Sequence, residues 1–271
     1  MRTTGSGANL SIPDSASNMR RANSLLFLFP LALVTGSLSA FAQSGAPKPY
    51  APVAITRPAA FAGEGFAVFR AQLAAVAKRR LFADLEPMID RQGFFLGRDF
   101  GNNFEPRKPA LDNLAVAIAL ERDNGAGWQR LEEFAADSAA EPLASRPGVV
   151  CAPAAPGYDG VGYAKLLQTS YTTDIDWAYP RADETAVRSM PQPDAATVGV
   201  LGPAFVRLLG FEGADSEPNP GRSQWARVAL PDGKIGFVAP NSLMPLTAAR
   251  LCFIKDLVAG WRIAGYIAGG N

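Results

Sequence analysis

The chain has 271 residues, and its 26 Lys and Arg against 25 Asp and Glu give a formal net charge of +1. This balance provides no overall basic field to attract nucleic acid. The chain has no histidine, which excludes Ser-His-Asp and Cys-His catalysis, histidine general bases and histidine metal ligands. Two cysteines are too few for a thiolate metal cage. We therefore predict a protein that is not an enzyme and needs neither a metal nor a cofactor.

An export signal is predicted near the start of the chain. Arg20-Arg21 is basic, residues 24–38 are uncharged and mostly apolar, and small residues at Ala40 and Ala42 precede Gln43. This order is typical of a cleavable signal peptide over residues 19–42, with an uncleaved membrane anchor as the alternative. The prediction is a periplasmic or secreted protein that has no membrane contact after cleavage. Residues 1–18 are interpreted as an extension or a mis-assigned start.

The first half of the mature chain has helical periodicity. Residues 43–60 are rich in Pro and Ala and predict an extended linker. Apolar side chains then recur at three- and four-residue steps, and a short alternating run near Phe94 indicates a strand. Residues 61–178 are therefore predicted to form a mainly helical N-terminal domain. Its helices are marked by Phe66, Phe69, Leu73 and Val76; by Leu111, Leu114 and Ile118; by Trp128, Leu131 and Phe134; and by Val161 and Leu166 after Asp159.

The second half has short runs typical of strands, separated by Gly, Pro and Asp. Pro231-Asp232-Gly233-Lys234 is typical of a tight hairpin turn. Residues 180–271 are therefore predicted to form a small β-barrel, with the last two runs as an extra C-terminal hairpin. The expected fold class is α+β. The runs are residues 197–201, 205–211, 225–230, 235–238, 251–254 and 261–267.

A resemblance to a known family covers residues 186–246. The motifs that carry it are Val187-Arg188-Ser189-Met190-Pro191, Val198-Gly199-Val200-Leu201-Gly202, Phe205-Val206-Arg207-Leu208, Trp225-Ala226-Arg227-Val228 and Asp232-Gly233-Lys234-Ile235-Gly236-Phe237-Val238. In this order they resemble the bacterial Src homology 3 domain, although Phe237 stands where that family usually has Trp and residues 211–223 form a long insertion. The resemblance implies a shallow groove that binds peptidoglycan or peptides without catalysis. Residues 66–95 are more distantly similar to small exported domains of the nuclear-transport-factor-like or cystatin-like type.

Three aromatic residues are the candidate ligand contacts. Trp261, Tyr266 and Phe211 are predicted to line the groove, because aromatic faces bind sugars and peptides at low entropic cost. Trp225 is assigned instead to the core of the barrel. The predicted partner is peptidoglycan or another envelope polymer or peptide. The first alternative is a scaffold in an envelope protein complex. The second is a carboxylate-based glycan hydrolase with Asp99, Glu105, Asp174 and Asp176 as its candidate residues.

A disulfide is the last prediction from the sequence. In an exported protein, two cysteines most often pair, so Cys151 and Cys252 are expected to be joined. A reactive thiol is the alternative, although no histidine is present to activate it. The bond would connect the exit loop of the helical region to the strand after the barrel.

Overall fold

The computed structural model describes residues 47–97, 105–121, 125–212, 225–239 and 241–270. The predicted N-terminal extension, the signal peptide and the first four residues of the linker lie outside these ranges. Within them the chain forms five α-helices, two 3₁₀ turns (Glu86–Met88 and Asp174–Asp176) and fourteen strands in three sheets. The helices are α1 (Phe66–Arg79), α2 (Phe82–Leu85), α3 (Ala110–Ile118), α4 (Ala126–Ala136) and α5 (Gly160–Ser170). The strands are β1 (Ile55–Thr56), β2 (Phe95–Gly97), β3 (Glu141–Pro142), β4 (Val149–Ala152), β5 (Gly157–Tyr158), β6 (Trp177–Pro180), β7 (Thr185–Arg188), β8 (Thr197–Leu201), β9 (Val206–Glu212), β10 (Trp225–Ala229), β11 (Ile235–Val238), β12 (Leu243–Pro245), β13 (Arg250–Asp256) and β14 (Gly260–Ile267).

The helices α1, α3 and α4 form where the apolar periodicity predicts them. In α1 the side chains of Phe66, Phe69, Leu73 and Val76 are buried, because the three- and four-residue steps place them on one face. The buried faces of α3 and α4 join the same core cluster, which also contains Phe253 and other side chains of β13 and β14. These helices therefore cover one face of a sheet that the C-terminal end of the chain helps to build.

That sheet has five strands in the order β2-β14-β13-β4-β3. Strand β13 pairs antiparallel with β14 on one side and with β4 on the other. Strand β14 also pairs parallel with β2. The predicted extra hairpin is therefore not an appendage of a barrel, because its two strands are the centre of a sheet shared with residues 95–152.

The second large sheet has seven strands in the order β12-β6-β9-β10-β11-β7-β8, and it is open. Its edge strands, β12 and β8, do not pair with each other. Pro245 at the end of β12 has no N–H to donate, and the pairing of β8 with β7 is interrupted by a register shift at Val187 and Arg188. The predicted closed barrel is wrong, and so is the predicted succession of a helical domain and a barrel. The chain is α+β, with sheets that combine strands from both halves.

Residues 47–56, the described start of the predicted linker, pack on the seven-stranded sheet. The hydroxyl of Tyr50 donates to the carbonyl oxygen of Ala229 at 2.9 Å, and its backbone N–H donates to that of Pro231 at 3.0 Å. The ring lies 5.1 Å from that of Trp177, edge to face. Further along, the N–H of Phe205 donates to the carbonyl of Val53 at 3.0 Å. This Pro-rich segment is therefore fixed by long-range hydrogen bonds and a buried aromatic anchor.

The predicted disulfide is confirmed. Cys151 in β4 and Cys252 in β13 are direct partners in the antiparallel register, and their Sγ atoms lie 2.08 Å apart. Both side chains are fully buried. Cys151 belongs to a strand, not to the predicted exit loop, so the bond reinforces a pair of strands that are already hydrogen-bonded.

Removing the disulfide is expected to destabilise the protein strongly. Replacing both Cys151 and Cys252 by Ala should lower the free energy of unfolding by about 2–5 kcal/mol, because the bond closes a loop of 101 residues in the unfolded chain. Urea denaturation measures the loss. Reduced wild-type protein is the control that keeps the cysteine side chains in place. Two free thiols in the denatured, unreduced protein would contradict the assignment.

The anchoring role of Tyr50 is tested by Tyr50→Phe. The variant should lose about 1–2 kcal/mol at pH 7, because it leaves the buried carbonyl of Ala229 without its donor. Burial raises the pKa of Tyr50 to about 12. The native state therefore keeps this proton after the unfolded state has lost it. Stability should consequently fall between pH 10 and 12 in the wild type, and fall less steeply in the variant.

Urea denaturation at a series of pH values checks both expectations. Tyr171→Phe is the matched control, because Tyr171 is 87% exposed. It should change the free energy of unfolding by less than about 0.5 kcal/mol. Equal effects of the two substitutions would show that residues 47–56 are not anchored to the sheet.

Candidate functional site

Two of the predicted ligand residues, Trp261 and Tyr266, lie on β14 beneath the helices. Simple alternation would put them on opposite faces, but the register shifts between Cys252 and Phe253, so that Ala264 has no partner in β13. The bulge turns both aromatic side chains toward the helical core. Tyr266 is only 3% exposed. Trp261 donates from Nε1 to the carbonyl of Glu64 at 2.8 Å. Both side chains therefore form contacts that stabilise the fold.

The third predicted residue, Phe211, lies on a different sheet. It sits near the end of β9, opposite Ala226, and is 46% exposed. The structure therefore does not bring the three aromatics into one groove. Their role in ligand binding stays a prediction, and any shared site would have to be built from other residues.

The candidate carboxylates of the hydrolase alternative form local hydrogen bonds. Glu105 accepts from Lys108 Nζ at 2.6 Å, and this contact raises the pKa of the lysine. Asp174 accepts from the hydroxyl of Tyr163 at 3.0 Å, and burial together with this bond raises the pKa of that tyrosine. Asp176 accepts from the backbone N–H of Thr173 at 2.8 Å, in a 3₁₀ turn. Asp99 lies outside the described residues.

A groove lies on the outer face of the seven-stranded sheet, and Trp225 forms one wall. In β10 the side chains of Ala226 and Val228 are buried, so Trp225 and Arg227 point to the other, outer face. In β7 the same alternation sends Ala186 and Arg188 outward. The cavity encloses about 670 Å³, within the range of small-ligand sites.

The floor of this groove is low because its residues are small. Continuing the register of β11 and β7 by one residue places Ala239 beside Ala186. Two methyl side chains next to the indole of Trp225 leave a recess that larger residues would fill. Pro193 and Arg188 form the opposite wall, while Arg181, Glu184, Asn241 and Ser242 are among the residues that line the end.

Arg188 is held in place at the groove. Its Nη1 donates to the carbonyl of Ala195 at 3.2 Å and to Thr197 Oγ1 at 2.9 Å. Both acceptors are neutral, so they do not compensate the positive charge of the guanidinium, and this charge can attract an anion. At the end of the groove, Arg181 lies 3.7 Å from Asp137, a longer and weaker ion pair.

The sequence analysis missed Trp225 as a site residue, although a signal was present. In Trp225-Ala226-Arg227-Val228, the tryptophan and Arg227 are two residues apart, so an alternating strand places both on the same face. A charged residue on that face indicates that it is the solvent-exposed one. The alanine floor could not be found in this way. It depends on which strands are neighbours in the sheet.

Trp261→Ala and Trp225→Ala should separate the stabilising tryptophan from the groove tryptophan. Trp261 packs 4.9 Å from Phe66 and 5.9 Å from Phe61, so its truncation should cost about 2–4 kcal/mol of unfolding free energy. Truncation of Trp225 on the outer face should cost less than about 1.5 kcal/mol. Urea denaturation measures both losses. A larger loss for Trp225→Ala than for Trp261→Ala would show that Trp225 belongs to the core.

Comparison of the chain with known proteins finds no similar protein. Within the residues that the structure describes, no helix is long and apolar enough to cross a membrane. The same residues contain no cluster of three or more Cys, Asp or Glu side chains placed to hold a metal ion. No family model, curated protein or solved structure matches the chain.

Proposed function

We propose that the protein is an exported, non-catalytic binding protein that holds an extended peptide of the cell envelope in the groove beside Trp225. Peptidoglycan, which carries stem peptides, is the expected polymer. Export is supported by the residue order of the signal peptide at residues 19–42. The observation that carries the proposal is the recess itself, with an indole wall above an alanine floor.

The shape of the groove favours an extended chain over a compact small molecule. It lies on the open outer face of a sheet and is lined at one end by Arg181 and Glu184. A half-buried indole offers a large rigid surface with one polar N–H, which suits the backbone and apolar side chains of a peptide. Removal of that surface is therefore expected to abolish most of the affinity.

The scaffold alternative differs in which surface is used. A scaffold would bind another protein through the helical side of the five-stranded sheet, so substitutions in the groove would leave its binding unchanged. The hydrolase alternative differs in its product, since it would release soluble fragments from the cell wall. One sedimentation experiment distinguishes the three functions.

In that experiment, purified protein is sedimented with insoluble peptidoglycan and the bound fraction is titrated. Trp225→Ala should weaken binding at least about tenfold, equivalent to about 1.4 kcal/mol, because tryptophans that a ligand covers on binding dominate binding energies. Tyr171→Ala is the matched control. Tyr171 is an exposed aromatic that follows α5, and it does not line the groove.

Equal weakening by the two substitutions would contradict a role for the groove. Absence of binding to the polymer, together with one co-purifying protein, would favour the scaffold. Release of soluble fragments that stops in Glu105→Gln or Asp174→Asn would establish the hydrolase instead.

A further inference from the structure

Three outward-facing side chains form a row across the seven-stranded sheet, next to the groove. Phe237 in β11 is the register partner of Arg188 in β7 on one side and of Arg227 in β10 on the other. Their neighbours along each strand, Val187, Val228 and Val238, are fully buried. The alternation therefore places both guanidinium groups and the phenyl ring on the outer face.

The spacing allows the two arginines to act on one group. Adjacent strands are about 4.8 Å apart, so the Cα atoms of Arg188 and Arg227 are separated by about 10 Å across Phe237. The bonds of Arg188 Nη1 to Ala195 and Thr197 direct its guanidinium toward β8, so the side chain must turn toward Phe237 for both arginines to hold one carboxylate. The ring excludes water on one side and so strengthens hydrogen bonds to a bound anion.

The arginines form a positive row, and two acids of this face lie on the groove side of that row. Within the described ranges, no carboxylate forms an ion pair with Arg188 or Arg227. Among the described residues, Glu212 is the partner of Trp225 in β9, and Glu184 lines the groove. Both repel an anion from the groove side of the row, so the row itself is the favourable position for a carboxylate.

We propose that the site binds an extended peptide through a carboxylate, which Arg188 and Arg227 hold above Phe237. This inference rests on the proposed function and specifies its ligand. Arginine is suited to this role because its planar fork of N–H donors matches the two oxygens of a carboxylate. Trp225 lies two residues before Arg227 on the same face, about 7 Å along the strand. The residue that contacts the indole is thus about two positions from the one that carries the carboxylate.

The probe is insoluble peptidoglycan stripped of phosphate polymers, whose remaining anions are carboxylates of its stem peptides. One portion is amidated with carbodiimide and methylamine, which neutralises the carboxylates and leaves the glycan chains intact. Binding of the wild type, Arg188→Gln, Arg227→Gln and Trp225→Ala is titrated on both portions. Lys165→Gln is the control, because Lys165 is an exposed cation on α5, away from the groove.

Amidation should weaken wild-type binding about tenfold, as expected for the loss of a charge-assisted pair. Each arginine substitution should weaken binding to the native polymer by a similar factor and have little further effect on the amidated polymer. Lys165→Gln should bind like the wild type. The urea midpoint of each variant establishes that it is folded.

The outcomes separate this inference from the proposed function. If the wild type binds both portions equally while Trp225→Ala binds neither, the groove is correct and the carboxylate assignment is wrong. If the arginine variants lose the same factor on both portions, the arginines do not recognise a carboxylate. If the wild type sediments with neither portion, the proposed function fails and this inference fails with it.

Discussion

The antiparallel pairing of β13 with β4 is the constraint on which the rest of the structure depends. It joins residues about a hundred positions apart, and the Cys151–Cys252 bond lies directly within the pairing. Loop closure over this distance is entropically costly, so strand hydrogen bonds and a covalent link at the same place reinforce one another. The helices α1, α3 and α4 then find a complete sheet face to cover, because β14 follows β13 in a hairpin.

The seven-stranded sheet is open because its edge strands β12 and β8 do not pair, and the C-terminal strands β13 and β14 belong to the five-stranded sheet. The buried face of the seven-stranded sheet forms its own core cluster, which includes Val187, Val228 and Val238. Helix α5 and residues 47–56 pack in a separate aromatic cluster, in which Tyr50 contacts Trp177. The outer face of the seven-stranded sheet remains accessible around Trp225, where small residues on neighbouring strands leave a recess.

Local pattern was sufficient to predict the regular elements with strong periodicity. The steps that begin at Phe66 predicted α1, and alternation in residues 225–229 predicted β10. Two-residue strands such as β1 have too few residues to produce a recognisable period, and none was predicted. Tyr266 was assigned to a groove for its aromatic chemistry, and the sequence contained no sign of the bulge at Ala264, which turns its side chain toward the helical core.

The candidate site was partly within reach of the sequence and partly not. Composition alone excluded histidine chemistry, and two cysteines in an exported chain predicted their own pairing. Alternation in β10 contained the signal that Trp225 shares the solvent face with Arg227, but the sequence analysis assigned Trp225 to the core. Only the tertiary structure decided that Arg188 and Arg227 flank Phe237 and that Ala186 and Ala239 form a floor. The physical reason is that strand order and register are set by long-range pairing and burial, which no local spacing of residues encodes.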